Sequence, residues 1–206
     1  MLHDDTRLQG YRVRLARATE IYALPEIESV AAQRFSPYLD QLEISDELLR
    51  GLTPLTFLRR AQIEHRLWVA VINEGPADRP VGFIVVKFLP ESCFIVEISV
   101  HPDHGRKGVG SALIQACCKG AEAKGAAWVT LTTFRQVPWN IPFYQRLGFD
   151  CLKAEHWSSE MRAIVQHEDR YGFAMKHRVV MARPSVLPNH TKSSRTESNR
   201  TESIGK

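Results

Sequence analysis

A β-branched run that empties into a cluster of glycines constrains this chain more than any other stretch. Phe94-Ile95-Val96-Glu97-Ile98-Ser99-Val100 reads as a strand that ends ahead of Pro102, and His104-Gly105-Arg106-Lys107-Gly108-Val109-Gly110-Ser111 follows at once. From Val109 apolar residues recur as Ala112 and Leu113, Ala116 and Cys117, then Ala121, the stripe of an amphipathic helix that Gly125 can close with a left-handed C-cap. A strand that feeds a helix through residues lacking Cβ turns tightly and aims several N–H groups at one place, where the helix dipole also favours negative charge. Such a turn suits a phosphate; without a ligand it is simply a turn.

Two phosphate loops fail on the letters. A Walker loop needs Lys-Ser or Lys-Thr at the last glycine, and Gly110 is followed by Ser111-Ala112. The dinucleotide fingerprint needs a third small residue where Leu113 stands.

A second segment lies one strand later. After the strand-like Trp128-Val129-Thr130-Leu131-Thr132-Thr133 comes Trp139-Asn140-Ile141-Pro142-Phe143-Tyr144-Gln145-Arg146-Leu147-Gly148-Phe149. Asn140 reads as the N-cap of a short helix, Pro142 is tolerated in its first turn, and Gly148 closes it. Asn140 and Tyr144, four apart, share a helical face and can look toward one ligand. A phenol of pKa about 10 stays neutral at physiological pH and can protonate a departing thiolate. The plainer alternative makes Tyr144 an aromatic in a helix–sheet seam, which is also the reading for Phe143.

Together the two segments resemble the GCN5-related N-acetyltransferases (GNAT). Gly108 and Gly110 fall in register with the family's Gln/Arg-x-x-Gly-x-Gly/Ala loop, although Gly105 stands where Gln or Arg is usual. Asn140, Tyr144, Gly148 and Phe149 match the later Asn and Tyr-x-x-x-Gly-Phe pattern in loose form. The resemblance implies an α/β (α+β) GNAT fold: a mixed, mostly antiparallel central sheet of six to seven strands, flanked by helices on both faces and splayed at the coenzyme strand. It implies acetyl-CoA as co-substrate and direct transfer of acetyl to a primary amine, on a small molecule or a peptide, through a ternary complex. A non-catalytic acyl-CoA-binding module of the same fold is the alternative.

The same resemblance distributes the site residues. Backbone amides of Arg106, Lys107, Gly108, Val109 and Gly110, with Ser111, would hold the pyrophosphate, the first two adding positive charge. Exposed backbone of Ile98, Ser99 and Val100 would orient the thioester, Asn140 would meet the pantetheine or its surroundings, and the Tyr144 hydroxyl would lie near the sulfur. For the proton of the attacking ammonium, Glu97 is the best acceptor, the lone carboxylate in an apolar strand whose burial would raise its pKa. Equally open are a paired structural carboxylate and a water chain. Glu97 and Ser99 share one face of the strand; Val96, Ile98 and Val100 share the other.

The remaining sequence agrees with one catalytic domain over residues 11–183, preceded by an extension, 1–10, and followed by a disordered polar tail, 184–206. A strand is expected at Tyr11–Arg17, a helix over Glu20–Phe35 that Pro25 starts or breaks, and a helix after Thr53-Pro54 with Leu55, Leu58 and Ala61 inward. Strands at Leu67–Asn73 and Val81–Leu89 flank a turn cluster at 74–80. Phe149–Glu155 and Arg178–Met181 would finish the sheet, around a helix capped by Ser159 and running through Ile164 to His167. That insert, with Trp157, Glu160, His167, Glu168 and Asp169, and the segment 35–49, with Tyr38, Asp40 and Glu43, offer candidate acceptor contacts or simply solvated residues.

Other classes are disfavoured. The tail repeats Arg-Thr-Glu-Ser and supplies +2 of the formal charge of +4, so the body has no basic groove for nucleic acid. Cys93, Cys117, Cys118 and Cys151 form no Cys-x-x-Cys pair, the histidines lack ligand spacing, and no metal is expected. The early acids of the N-terminus argue against a leader, and no apolar run is long enough to span a membrane, so a cytoplasmic protein is expected. Homodimers are common among such proteins, which leaves a second copy as a candidate partner.

Overall fold

Runs of β-branched and aromatic residues build one twisted sheet, and the apolar stripes of the helices close both of its faces. The structure, a computed structural model, describes residues 6–74 and 77–186. Its strands are β1 (Thr6–Leu8), β2 (Tyr11–Leu15), β3 (Leu67–Glu74), β4 (Ala77–Phe88), β5 (Ser92–Val100), β6 (Trp128–Phe134), β7 (Asp150–Cys151) and β8 (Arg178–Pro184). The helices are α1 (Leu24–Ala32), α2 (Leu39–Leu42), α3 (Asp46–Leu49), α4 (Leu55–Ile63), α5 (Val109–Ala123), α6 (Asn140–Gln145) and α7 (Ser159–Arg170). The sheet order is β1-β2-β3-β4-β5-β6-β8-β7, and every pair is antiparallel except β5 with β6. This is the mixed, mostly antiparallel sheet that the resemblance implies, with the short β1 added at its edge from within residues 1–10.

The parallel pair is the opening in the sheet. β5 and β6 are in register only at Ser92, Cys93 and Phe94 against Trp128, Val129 and Thr130; beyond Phe94 they part. Ile95 and residues 97–100 stay paired with β4 on the other side. The splay therefore exposes one edge of β5 to a gap in the middle of the molecule.

Helix α5 packs on one face, burying Val109, Ala112, Leu113, Ala116, Cys117 and Ala121 against Val13, Trp68, Ile84 and Ile95. Helices α1 and α4 cover the other face through Leu24, Ile27, Leu58 and Ala61, over Val69, Phe83 and Val85. Further along that face α7 sets Met161 and Val165 on Phe94 and Val180. Burial on this scale, at about 25 cal/mol per Å² of apolar surface, supplies the main stabilising term.

Several expected boundaries move, each for a local reason. The single helix over 20–35 becomes a 3-10 turn at Glu20–Ala23, then α1 with Pro25 in its first turn, then a second 3-10 stretch at Gln33–Tyr38 that contains Pro37. Leu55 is 44% exposed, because it opens α4 on the side away from the sheet. The turn cluster at 74–80 is shorter, since Pro80 is accommodated inside β4 at a bulge opposite Ala70 and Val71. β7 keeps two residues, a 3-10 turn at Ala154–His156 cutting it short, whereas β8 runs on to Pro184. Ser158, not Ser159, caps α7, its hydroxyl accepting the Met161 N–H at 3.2 Å. The polar tail from residue 187 lies outside the described residues.

A β-bulge re-aims the middle of β5. Val85 pairs with Glu97 and Val86 with Ile95, so Val96 has no ladder partner. Strict alternation placed Val96 with Ile98 and Val100. Instead Val96 is 38% exposed beside Phe94 on the α7 side, while Ile98 and Val100 join the cluster under α5.

Candidate functional site

The glycine-rich turn forms a cradle of backbone donors. Pro102–His104 make one 3-10 turn, Gly105 is extended at φ −66°, and Arg106 and Gly108 both take left-handed conformations, at φ 58° and 82°. Glycine adopts that region without cost, and here it lets the chain reverse into α5. The first backbone bond into the helix is Ala112 N–H to the Gly108 carbonyl. Among the described residues the N–H groups of 106–111 therefore find no acceptor in the protein. Six such donors at the positive end of a 15-residue helix have the chemistry to hold an anion.

Neighbouring side chains hold the cradle in place. The Tyr11 hydroxyl meets His104 Nδ1 at 2.9 Å, tying the turn to β2. The Lys107 ammonium bends back to donate to the Asp103 carbonyl at 2.9 Å, and Arg106 extends into solvent.

Gly110 brings the second segment alongside. A Cβ at this position would touch Phe143 Cζ at 3.4 Å, so α6 lies directly against the first turn of α5. Asn140 and Tyr144 are both buried on α6. Trp139 occupies the N-cap position and Asn140 is the first helical residue, where its side-chain amide donates to the Phe134 carbonyl at 3.4 Å and fixes α6 to the end of β6. Tyr144 stacks edge-on against Phe143 and Phe149.

Across the gap stand the carboxylates. Glu97 Oε1 accepts the Ser99 hydroxyl at 2.7 Å, and burial raises its pKa against the opposing pull of that bond. Burial, and next the Glu97 charge, hold the Tyr144 phenol protonated well above its ordinary value, while Arg178 and Arg34 act in the opposite sense. The phenol belongs to the cluster under α5, whereas the Glu97 charge also acts on Glu28 of α1. They share one field because the sheet is open between them.

Sequence reasoning missed three members of this constellation. Glu28 is 7% exposed on α1, accepting the Thr53 N–H at 3.0 Å and its hydroxyl at 2.8 Å, and burial followed by the Glu97 charge lifts its pKa to about 7. Its signal was present: Leu24, Ile27, Glu28 and Ala31 form the buried stripe of α1, and a carboxylate on such a stripe is out of place. The other two, Thr132 and Arg178, come from strands that only the fold brings together. Thr132 donates to Glu168 Oε1 at 2.6 Å and accepts from Arg178 Nη2 at 2.6 Å, and Arg178 reaches Glu168 Oε2 at 3.3 Å while lying over Phe134.

The Glu28 shift carries a stability consequence. Its pKa is 4.5 ordinarily and about 7 in the fold, so the native state holds a proton that the unfolded chain releases, and stability falls as pH rises between those values. Glu28→Gln keeps an acceptor for Thr53 and removes the charge. Thermal melts across pH 5 to 8 should show the variant losing that downward slope and gaining about 1–3 kcal/mol at pH 8. Parallel slopes in the two proteins would mean that Glu28 is charged throughout.

Beside the gap a cavity of about 730 Å³ opens between β4, β5, α4 and α7. Glu160, His167 and Glu168 line it, three of the insert residues singled out in the sequence. Trp157 and Asp169 serve structure instead: the indole donates to the Leu152 carbonyl at 3.0 Å, and Asp169 accepts the Met175 N–H at 2.9 Å. Tyr38 packs edge-on against Trp139, Asp40 lies in α2, and Glu43 pairs with Lys176.

With this geometry in view, comparison with known proteins is decisive on one point. The family model described as acetyltransferase (GNAT) family matches residues 27–149, from α1 through the end of α6 and its closing glycine. The chain belongs to the GNAT acetyltransferase family. Solved GNAT structures share its fold. The ribosomal-protein-S18-alanine N-acetyltransferase from Escherichia coli is 16% identical with a TM-score of 0.56, over 88% of this chain and 97% of that one. The PaiA N-acetyltransferase from Thermoplasma acidophilum, in complex with coenzyme A, is 14% identical with a TM-score of 0.61, over 84% and 98%. Ard1 from Thermoplasma volcanium is 17% identical with a TM-score of 0.57, over 86% and 99%. Among the described residues no helix of this GNAT protein is long and apolar enough to cross a membrane.

Proposed function

We propose that this GNAT protein is an acetyl-CoA-dependent N-acetyltransferase acting on a primary amine through a ternary complex. One observation carries the reading: among the described residues the six N–H groups of 106–111 find no acceptor, and the helix that carries Tyr144 packs against this same first turn of α5. The donors fit a diphosphate, which needs several charge-assisted bonds and little side-chain charge. A structural relative crystallised with coenzyme A supports that ligand.

In this reading the amides of 106–110 hold the pyrophosphate, and the free edge of β5 at Ile98–Val100 aligns the pantetheine arm and polarises the thioester carbonyl. The amine nitrogen forms a bond to the acetyl carbon and the carbon–sulfur bond breaks. The nitrogen's proton passes to Glu97, directly or through water, and the Tyr144 proton goes to the departing sulfur. Burial raises the pKa of both Glu97 and Glu28, and the Glu97 charge adds to the rise at Glu28, which brings a carboxylate toward the range a base needs at neutral pH. The fixed order of phosphate grip, thioester and phenol along one cleft makes direct transfer sufficient.

Isothermal titration with acetyl-CoA, followed by free-thiol release with a panel of amines, tests the reading. Binding with amine-dependent thiol release is expected. Binding with no release for any amine would make the protein an acyl-CoA-binding module, and the absence of binding would remove both.

A further inference from the structure

The cavity between β4, β5, α4 and α7 is walled mainly by hydrocarbon. Phe57 from α4, Phe88 from β4, Phe94 and Val96 from β5, Ile164 from α7 and Phe173 beyond it make its walls. Its volume, about 730 Å³, lies in the range of small-molecule sites. Val96, the bulged residue, forms part of its lining and is followed directly by Glu97. The cavity thus reaches the bulged residue that immediately precedes Glu97, the proton acceptor of the proposed reaction.

Its few charges are unevenly placed. Glu160 sits in the first turn of α7, where the backbone N–H and the hydroxyls of Ser158 and Ser159 hold its carboxylate ionised. Glu168 is already occupied by Thr132 and Arg178, His167 is exposed on α7, and Lys87 stands exposed on β4. A ligand with charges along its whole length would have to strip several of them of water against phenyl rings, at several kcal/mol each. A ligand with one amine at its end has to desolvate one.

We propose that this cavity selects, as acceptor, a primary monoamine carrying a bulky aromatic or alkyl body, with the body on Phe88, Phe94, Ile164 and Phe173 and the amine at the Val96–Glu97 bulge. The inference rests on the acetyltransferase reading for its chemistry, in which the amine receives the acetyl group and coenzyme A leaves as the thiol. The recognition itself is independent of that chemistry.

The test uses the full chain. At saturating acetyl-CoA, 4-phenylbutylamine and octylamine should give kcat/KM at least about 10²-fold above spermidine, glutamate and a lysine-containing peptide. Ala163→Trp, at an exposed position of α7 that lines the cavity, should raise the KM for 4-phenylbutylamine at least about tenfold, with kcat and coenzyme binding retained and the melting temperature close to wild type. Thiol release that favours the polyamine, the amino acid or the peptide overturns the inference and leaves the acetyltransferase reading standing. Direct binding of 4-phenylbutylamine, followed by ligand-observed NMR without any acetyl donor, separates the two in the other direction. Binding that Ala163→Trp abolishes supports the cavity assignment even if no thiol is ever released, and no binding by the wild type overturns it.

Discussion

Tyr144→Phe is expected to lower turnover by about 10²-fold or more while leaving acetyl-CoA affinity almost unchanged. The substitution removes one oxygen and keeps the ring, so the edge-on packing against Phe143 and Phe149 survives. What is lost is a proton that burial and the nearby Glu97 keep on the phenol at neutral pH. A steady-state measurement of kcat beside a calorimetric Kd resolves the two effects. Unchanged turnover would take the tyrosine out of the chemistry and leave it a seam aromatic.

Gly120→Ala should destabilise the protein by about 1–3 kcal/mol, even though alanine is the better helix former by about 1 kcal/mol. The reason is a close approach of α5 to β3. A Cβ at Gly120 would lie 2.4 Å from Trp68 Cζ2 and 2.8 Å from Cη2, and that indole is only 6% exposed within the main core cluster. Neither the ring nor the helix can move without disturbing the contacts around it. A drop of roughly 5 °C in melting temperature is expected. Coenzyme binding should weaken with it, because the same helix carries residues 109–111 of the cradle. A variant that melts above wild type would show that Trp68 has room to yield.

Much of this was legible in the letters, for identifiable reasons. Strands β2 to β6 and helix α5 announce themselves because β-branched alternation and a clean apolar stripe survive any tertiary context. Gly108, Gly125 and Gly148 stand at left-handed positions, which is why glycines marked the ends of the helices correctly. The short helices between 33 and 49 were not legible: they carry no full period, and their apolar side chains gather around Phe134 and Trp139, far away in sequence. The bulge at Val96 was equally hidden, since it arises from the pairing of β5 with β4 and not from any residue in β5 alone.

The site divides in the same way. Its contiguous half, the cradle after β5, could be read from spacing. Its composite half could be read only in part: Glu97 and Tyr144 stand out in their own segments, whereas Glu28, Thr132 and Arg178 do not, because all five come from separate elements. Only the parting of β5 from β6 puts them in one field. Asn140 shows the limit of helix-end rules: its identity marks the start of α6 within one residue, but its amide serves the Phe134 carbonyl and not the cap.

The most direct measurement is the difference in affinity between coenzyme A and pantetheine, titrated into the full chain by calorimetry. Pantetheine keeps the thiol arm and lacks the diphosphate and nucleotide. If the N–H groups of 106–111 grip the pyrophosphate, coenzyme A should bind at least about 10²-fold more tightly, the equivalent of two charge-assisted hydrogen bonds. Equal affinities, or no heat from coenzyme A at millimolar concentration, would contradict it.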